Sequence, residues 1–278
     1  MHGKHPRCFR LSLFVFVCVQ LAAMAGAASG ASVKDGVALY RQGMLDEAAA
    51  ALRQASEADP KDAVARQWLG FVLLKQSKFA EAVAALEGAR ALKADAPELR
   101  CNLGMAYLGV NENQKAVAEF EQALKQRPRW AECLDNLGTA HMRLKQTDKA
   151  IDAYTKAAAI SPNSAGIHNN LGLALQEAGK LTEAIAAFRK ALSIEPKSAE
   201  FAANLGWALK QNKEYANAQS AFEKSLAADA NNYGARMGLA EVFTATNQDE
   251  KAIRQYQAAA KLRPSEVAPH YNMGVLYL

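Results

Sequence analysis

A period of 34 residues constrains this chain more than any other feature of its sequence. Three columns of residues repeat at that interval in a single phase. The glycine column becomes Ala240 at one step, and its other members are Gly36, Gly70, Gly104, Gly138, Gly172, Gly206 and Gly274. The alanine column is Ala48, Ala82, Ala116, Ala150, Ala184, Ala218 and Ala252, and the bulky column is Leu52, Leu86, Phe120, Tyr154, Phe188, Phe222 and Tyr256. Self-similarity of this kind indicates a stack of repeated units rather than one closed core.

The sequence pattern predicts that each unit forms two helices joined by a tight turn. In the unit from Ala165 to Ser198, apolar residues recur at helical spacing on both sides of an interruption at Gly179. The small Gly172 allows the two helices to approach, and Phe188 fills the space beside their crossing. Pro196 cannot continue the second helix, so the chain turns there into the next unit. The turn positions hold residue types that tolerate a left-handed backbone, namely Gly43, Asn111, Gly179 and Asn247.

These columns resemble the tetratricopeptide repeat, and the stretch HNNLGLALQEAGKLTEAIAAFRKALSIEP matches its pattern closely. The resemblance implies an all-α, right-handed superhelical solenoid of helix-turn-helix repeats. Seven full repeats begin near residues 29, 63, 97, 131, 165, 199 and 233, and an eighth begins near 267. Because that eighth repeat stops inside its first helix, we expect the sequence to be part of a longer protein.

The first 27 residues have the layout of a secretory signal peptide. A basic start with Lys4, Arg7 and Arg10 precedes an apolar run, and small residues follow at Ala25-Gly26-Ala27. We predict cleavage after Ala27, with Ala28 and Ser29 as alternatives, leaving a repeat array over 28–278 in an exported, periplasmic or secreted, bacterial-type protein. Lipidation and an uncleaved anchor are further alternatives, although the apolar run is shorter than the roughly 18 to 20 residues of a membrane span. We expect no integral membrane span after cleavage.

Charge and motif content argue against several function classes. The chain has 33 basic and 28 acidic residues, and without the three basic residues of the leader the excess is only two. This balance gives no electrostatic case for nucleic acid. No phosphate loop, zinc-helix motif or nucleophile elbow occurs, so we expect no enzyme activity, no cofactor and no metal. Acidic stretches such as Glu119 to Glu121 are expected to be solvated helix faces.

The resemblance implies that the first helix of each repeat lines a concave groove through its second, fifth, ninth and twelfth positions. Carried onto this sequence, the apolar groove residues are Phe71, Leu74, Met105, Leu108, Met142, Leu173 and Trp207. Asparagine recurs at the sixth position and is similar to the ladder in the repeat arm of O-linked N-acetylglucosamine transferase, where amides hold a peptide backbone: Asn102, Asn136, Asn170, Asn204 and Asn272. The alternative for both sets is that they only pack between repeats.

Cys101 and Cys133 lie on the first helices of successive repeats and remain after leader cleavage. An oxidising compartment would favour a disulfide between them, if the helices bring them close enough. The expected function is a non-catalytic scaffold that binds a peptide segment or helix of another envelope protein. The alternative is a substrate-recruiting arm of a larger protein, either glycosyltransferase-like or part of secretion or pilus assembly.

Overall fold

The computed structural model describes residues 32–277, so the predicted leader over 1–27 lies outside the described part of the chain. The chain divides after Ile160 into two compact units. The first contains α1 (Val33–Arg41), α2 (Leu45–Ala58), α3 (Ala63–Lys75), α4 (Phe79–Ala91), α5 (Pro97–Gly109), α6 (Asn113–Gln126), α7 (Ala131–Arg143) and α8 (Thr147–Ile160). The second contains α9 (Ala165–Glu177), α10 (Leu181–Ile194), α11 (Ala199–Gln211), α12 (Tyr215–Ala228), α13 (Tyr233–Ala245), α14 (Asp249–Leu262) and α15 (Val267–Leu276). No strand occurs among these residues, which confirms the predicted all-α class.

The helices stack in sequence order within each unit. The two helices of every repeat contact each other, and the second helix of a repeat also contacts the first helix of the next. First helices of neighbouring repeats touch as well: α1 with α3, α3 with α5, and α5 with α7 in the first unit, then α9 with α11 and α11 with α13 in the second. This order of contacts is that of a helical repeat solenoid, as the 34-residue period predicts.

The glycine and bulky columns meet inside each repeat. A Cβ added at Gly172 would lie 2.6 Å from Cε1 of Phe188, and the same distance separates such an atom at Gly206 from Phe222. The repeats with leucine are equally tight, since Gly70 would place its Cβ 2.4 Å from Cγ of Leu86. Real carbon atoms pack at about 3.5 Å or more, so only glycine fits beneath these side chains. This repeat position therefore requires glycine, because it faces the bulky side chain directly.

The turn inside each repeat ends in a left-handed residue, as predicted for Gly43, Asn111, Gly179 and Asn247. The N–H of the following residue donates to a carbonyl five positions earlier, for example from Lys180 to Leu175 at 2.9 Å. This bond closes the end of the first helix. Three residues that rarely adopt positive φ occupy the same turn position, and the common fold of the repeats imposes the conformation on them: Ser77, Lys145 and Lys213.

Where proline is missing at the end of a repeat, other devices stop the helix. After α4, Lys93 has φ of 64° and Pro97 opens α5 as its first residue. After α12, Asn232 caps α13, because its Oδ1 accepts a hydrogen bond of 2.9 Å from the N–H of Ala235. The sequence suggests that Pro97 and the Asn231-Asn232 pair provide these breaks. In agreement with this, α5 begins at Pro97, and α13 begins directly after Asn232.

Polar side chains at the fourth position of a repeat tie the preceding loop down. Arg66 donates to the carbonyl of Pro60 at 3.1 Å, His168 to that of Pro162 at 3.0 Å, and Arg236 to that of Ala230 at 2.7 Å. The family that this sequence resembles often has Trp there. In these three repeats, a hydrogen bond to the loop backbone takes the place of that aromatic packing.

Glu119 corrects one expectation from the sequence. It is buried rather than solvated, and its carboxylate bridges Arg90 at 2.5 Å and Arg100 at 3.0 Å. Arg100 also pairs with Asp95 in the loop before α5. A buried carboxylate needs such partners, because desolvation without them is costly. The bridge joins α6 to both α4 and α5, so it stabilises the contact between two repeats.

Candidate functional site

Within each unit, we call the surface that carries the fifth, sixth, ninth and twelfth residues of the first helices the first-helix face of that unit. In the first unit its predicted apolar residues are all buried: Phe71, Leu74, Met105, Leu108 and Met142. Phe71 packs edge-on against Tyr40 at 5.2 Å and Trp68 at 5.6 Å between ring centroids. These residues therefore contribute to the packing of the stack, and each supports its neighbours on this face.

In the second unit the face is more polar and Trp207 is its central aromatic residue. Leu173 is buried, whereas Trp207 is partly exposed and stands edge-on to the buried Phe222 at 5.5 Å. The ammonium of Lys210 lies 4.5 Å from the centroid of the Trp207 ring and also pairs with Glu241. Trp207 is thus held by Lys210 and Phe222 while remaining partly exposed.

The asparagine row behaves differently in the two units. In the second unit, Asn204 donates a hydrogen bond of 2.8 Å to Oδ1 of Asn169, and Asn170 is buried beside them. In the first unit, Asn102 and Asn136 are each only 1 % exposed. The amide oxygen of Asn102 has no hydrogen-bond partner, and neither the oxygen nor the nitrogen of Asn136 has one.

Unmet hydrogen bonds of this kind are unusual in a folded protein. Buried side-chain amides normally find protein or water partners, and a buried polar group left unpaired costs about 1–3 kcal/mol. An amide also presents one donor group and one acceptor group, the same pair that a peptide backbone presents. The amide of Asn136 is therefore a costly feature of the first unit, and at 1 % exposure it is closed to a ligand.

Polar side chains also contribute to this face. Thr139, buried on α7, donates to the carbonyl of Asp135 at 3.1 Å and lies 3.1 Å from the hydroxyl of Tyr154. Burial raises the pKa of Tyr154, so this hydroxyl stays neutral and available for the bond. Gln176 and Gln211 form an amide pair at 3.0 Å in the second unit. Their positions in the repeat, the twelfth and thirteenth, were the only sequence signal for them.

Cys101 and Cys133 lie together in the first unit. Both are buried free thiols, and the thiol of Cys101 is hydrogen-bonded to Cys133. Burial raises the pKa of the Cys101 thiol, and the hydrogen bond to Cys133 is a second, smaller cause of the same shift. The two thiols are therefore neighbours, and the disulfide between them stays a prediction.

Residues 32–277 contain no cluster of three or more metal-ligating side chains. Within the same residues, no helix combines the length and the apolar character that crossing a bilayer would require.

Comparison with known proteins identifies the repeats. Models described as tetratricopeptide repeat match residues 97–129, 130–196 and 169–229, and one described as TPR repeat matches 36–77 and 240–278. The chain is a tetratricopeptide-repeat protein. This confirms the resemblance inferred from the sequence, and the family and fold are those of a protein-protein interaction scaffold. No curated protein sequence matches the chain.

Solved structures with the same fold include three of differing likeness. A chain of the APC/C hetero-tetramer Cut9-Hcn1 is 19 % identical with a TM-score of 0.68, and the match covers 88 % of this chain and 48 % of that one. This chain thus spans about half the length of that relative. MamA is 28 % identical, with a TM-score of 0.54 over 58 % of this chain and 95 % of its own. YrrB, described as having an unusual peptide-binding site, is 18 % identical, with a TM-score of 0.59 over 68 % of this chain and 98 % of its own.

Proposed function

We propose that this tetratricopeptide-repeat protein is a non-catalytic scaffold of the cell envelope, which binds a peptide segment of a partner protein along its first-helix face. The observation that carries the proposal is Trp207, an aromatic side chain on the first-helix face of the second unit that is partly exposed. An apolar side chain of the bound segment would pack against the exposed part of this ring.

Trp207 is the proposed anchor of the second unit. Aromatic residues dominate the energetics of contacts with a ligand side chain. Phe71 and Met105, which were also predicted as anchors, are buried within the first unit. The peptide-binding site named for YrrB is a parallel on the same fold.

Export to the envelope is the second part of the proposal. It rests on the order of basic, apolar and small residues over 1–27. An envelope partner follows from that location, because only proteins in the same compartment meet the mature chain.

The test is the Trp207→Ala variant, measured for both partner binding and stability. Binding of the partner segment, mapped by limited proteolysis of the copurified complex, should weaken about tenfold or more because the segment loses its contact with the ring. Calorimetry of the mapped segment gives the affinity, and chemical unfolding shows whether the variant still folds.

Lys190→Ala is the matched control, because Lys190 lies at an exposed position of the second helix α10, off the first-helix face. It should bind the segment with unchanged affinity. If folded Trp207→Ala protein binds the segment as tightly as Lys190→Ala does, the proposed binding face is wrong.

A further inference from the structure

The two buried cysteines are neighbours in the first unit. Cys101 lies on α5 and Cys133 on α7, two first helices with residue pairs whose Cα atoms come within 8 Å. Their side chains are 1 % and 0 % exposed, and the two thiols are hydrogen-bonded partners. Cys133 Sγ is also 4.0 Å from the carbonyl of Phe120 on α6. The two thiols therefore lie between the first helices of the third and fourth repeats.

We propose that Cys101 and Cys133 are a disulfide-forming pair that, when oxidised, covalently joins the first helices of the third and fourth repeats. The inference is independent of partner binding, because it concerns only these two side chains and their neighbours. Its consequence for the fold is that α5 and α7, which carry Asn102 and Asn136, are held in one register.

The chemistry requires an oxidant that is itself a disulfide. One cysteine thiolate attacks the oxidant and forms a mixed disulfide, which releases the first thiol of the oxidant. The second cysteine thiolate then attacks the mixed disulfide at the protein sulfur and releases the second thiol. The protein gains one S–S bond and loses two electrons and two protons, and the oxidant is reduced to two thiols. Oxidised glutathione or a dithiol-disulfide protein supplies this reaction.

Burial determines when the reaction happens. A buried thiol with a raised pKa contains little thiolate and is closed to an oxidant, so the folded reduced pair reacts slowly. Oxidation therefore takes place while the third and fourth repeats are still open, during folding. Once formed, the bond is buried by the same residues and is protected from reductants.

The experiment is peptide mapping of the full chain after refolding from denaturant in a buffer of reduced and oxidised glutathione. Free thiols are alkylated without reduction, and trypsin then releases residues 101–115 with Cys101 and residues 130–143 with Cys133. The expected product is these two peptides joined, about 2 Da lighter than their summed masses, in the monomeric fraction. The joined species should disappear when the sample is reduced before alkylation.

The Cys101→Ser variant is the control, because it removes one sulfur and keeps a side chain of similar size. It should give an alkylated 130–143 peptide and no joined species. Recovery of both wild-type peptides in alkylated form overturns the proposal, as do glutathione adducts on each cysteine. So does linkage of either cysteine to Cys8, to Cys18 or to a second molecule.

Discussion

Replacing Gly172 with alanine tests the close packing that sets the 34-residue period. The added Cβ would lie 2.6 Å from Cε1 and 2.9 Å from Cζ of Phe188. Carbon atoms pack at about 3.5 Å, so the Phe188 ring or the helix must move by about 0.9 Å. The ring is fully buried and cannot rotate into solvent. Overpacking of this size costs about 2–3 kcal/mol, and the better helix propensity of alanine returns about 1 kcal/mol.

The net expectation is that Gly172→Ala lowers the free energy of unfolding by about 1–2 kcal/mol. Gly166→Ala, near the start of the same helix, is the matched control because nothing lies within 4 Å of the new Cβ. It should raise the free energy of unfolding by up to about 1 kcal/mol. Urea denaturation followed by circular dichroism measures both. A Gly172→Ala protein as stable as Gly166→Ala would refute the argument that Phe188 occupies this space.

Three further predictions concern buried polar groups and the cysteines. Burial lowers the pKa of His141, so the stability due to its neutral form is complete above about pH 6.5 and declines as pH falls below it; His141→Gln should flatten this part of a pH-stability curve. Glu119→Gln should lower the free energy of unfolding by about 1–2 kcal/mol in urea denaturation, because it leaves two partly exposed arginines without their shared carboxylate; an unchanged midpoint would contradict the bridging role. Disulfide formation between Cys101 and Cys133 closes a loop of about 33 residues and should stabilise the fold by about 3–4 kcal/mol in the chain-entropy model, which comparing oxidised and reduced protein in denaturant tests.

The sequence predicted those features of the fold that follow from the repeat period. The glycine and bulky columns defined the helix pairs, and Gly43 and Asn247 marked left-handed turns correctly. Ser77 and Lys145 adopt the same turn conformation although their residue type does not favour it. The conformation of these two residues could be predicted only from their position in the 34-residue repeat, not from their residue type.

Contacts between repeats were harder to predict, because they depend on side-chain reach rather than on spacing. Glu119 looked like part of a solvated acidic face, yet two arginines from neighbouring helices enclose it. The sequence placed Asn136 in a row but gave no sign that its amide is buried without a partner. Likewise, it placed Cys101 and Cys133 on adjacent first helices, whereas only the packing of α5 against α7 establishes that their thiols meet.

Photo-crosslinking in living cells reports which surface of the protein meets the partner. Benzoylphenylalanine placed at Trp207 puts the reactive group on the first-helix face, and the same residue at Lys190 puts it on an exposed position of the second helix α10. We expect a crosslinked partner protein from position 207, joined through one segment of that partner, and none from position 190. Crosslinks from position 190 alone, or equal crosslinking from both positions, would contradict a binding site on the first-helix face.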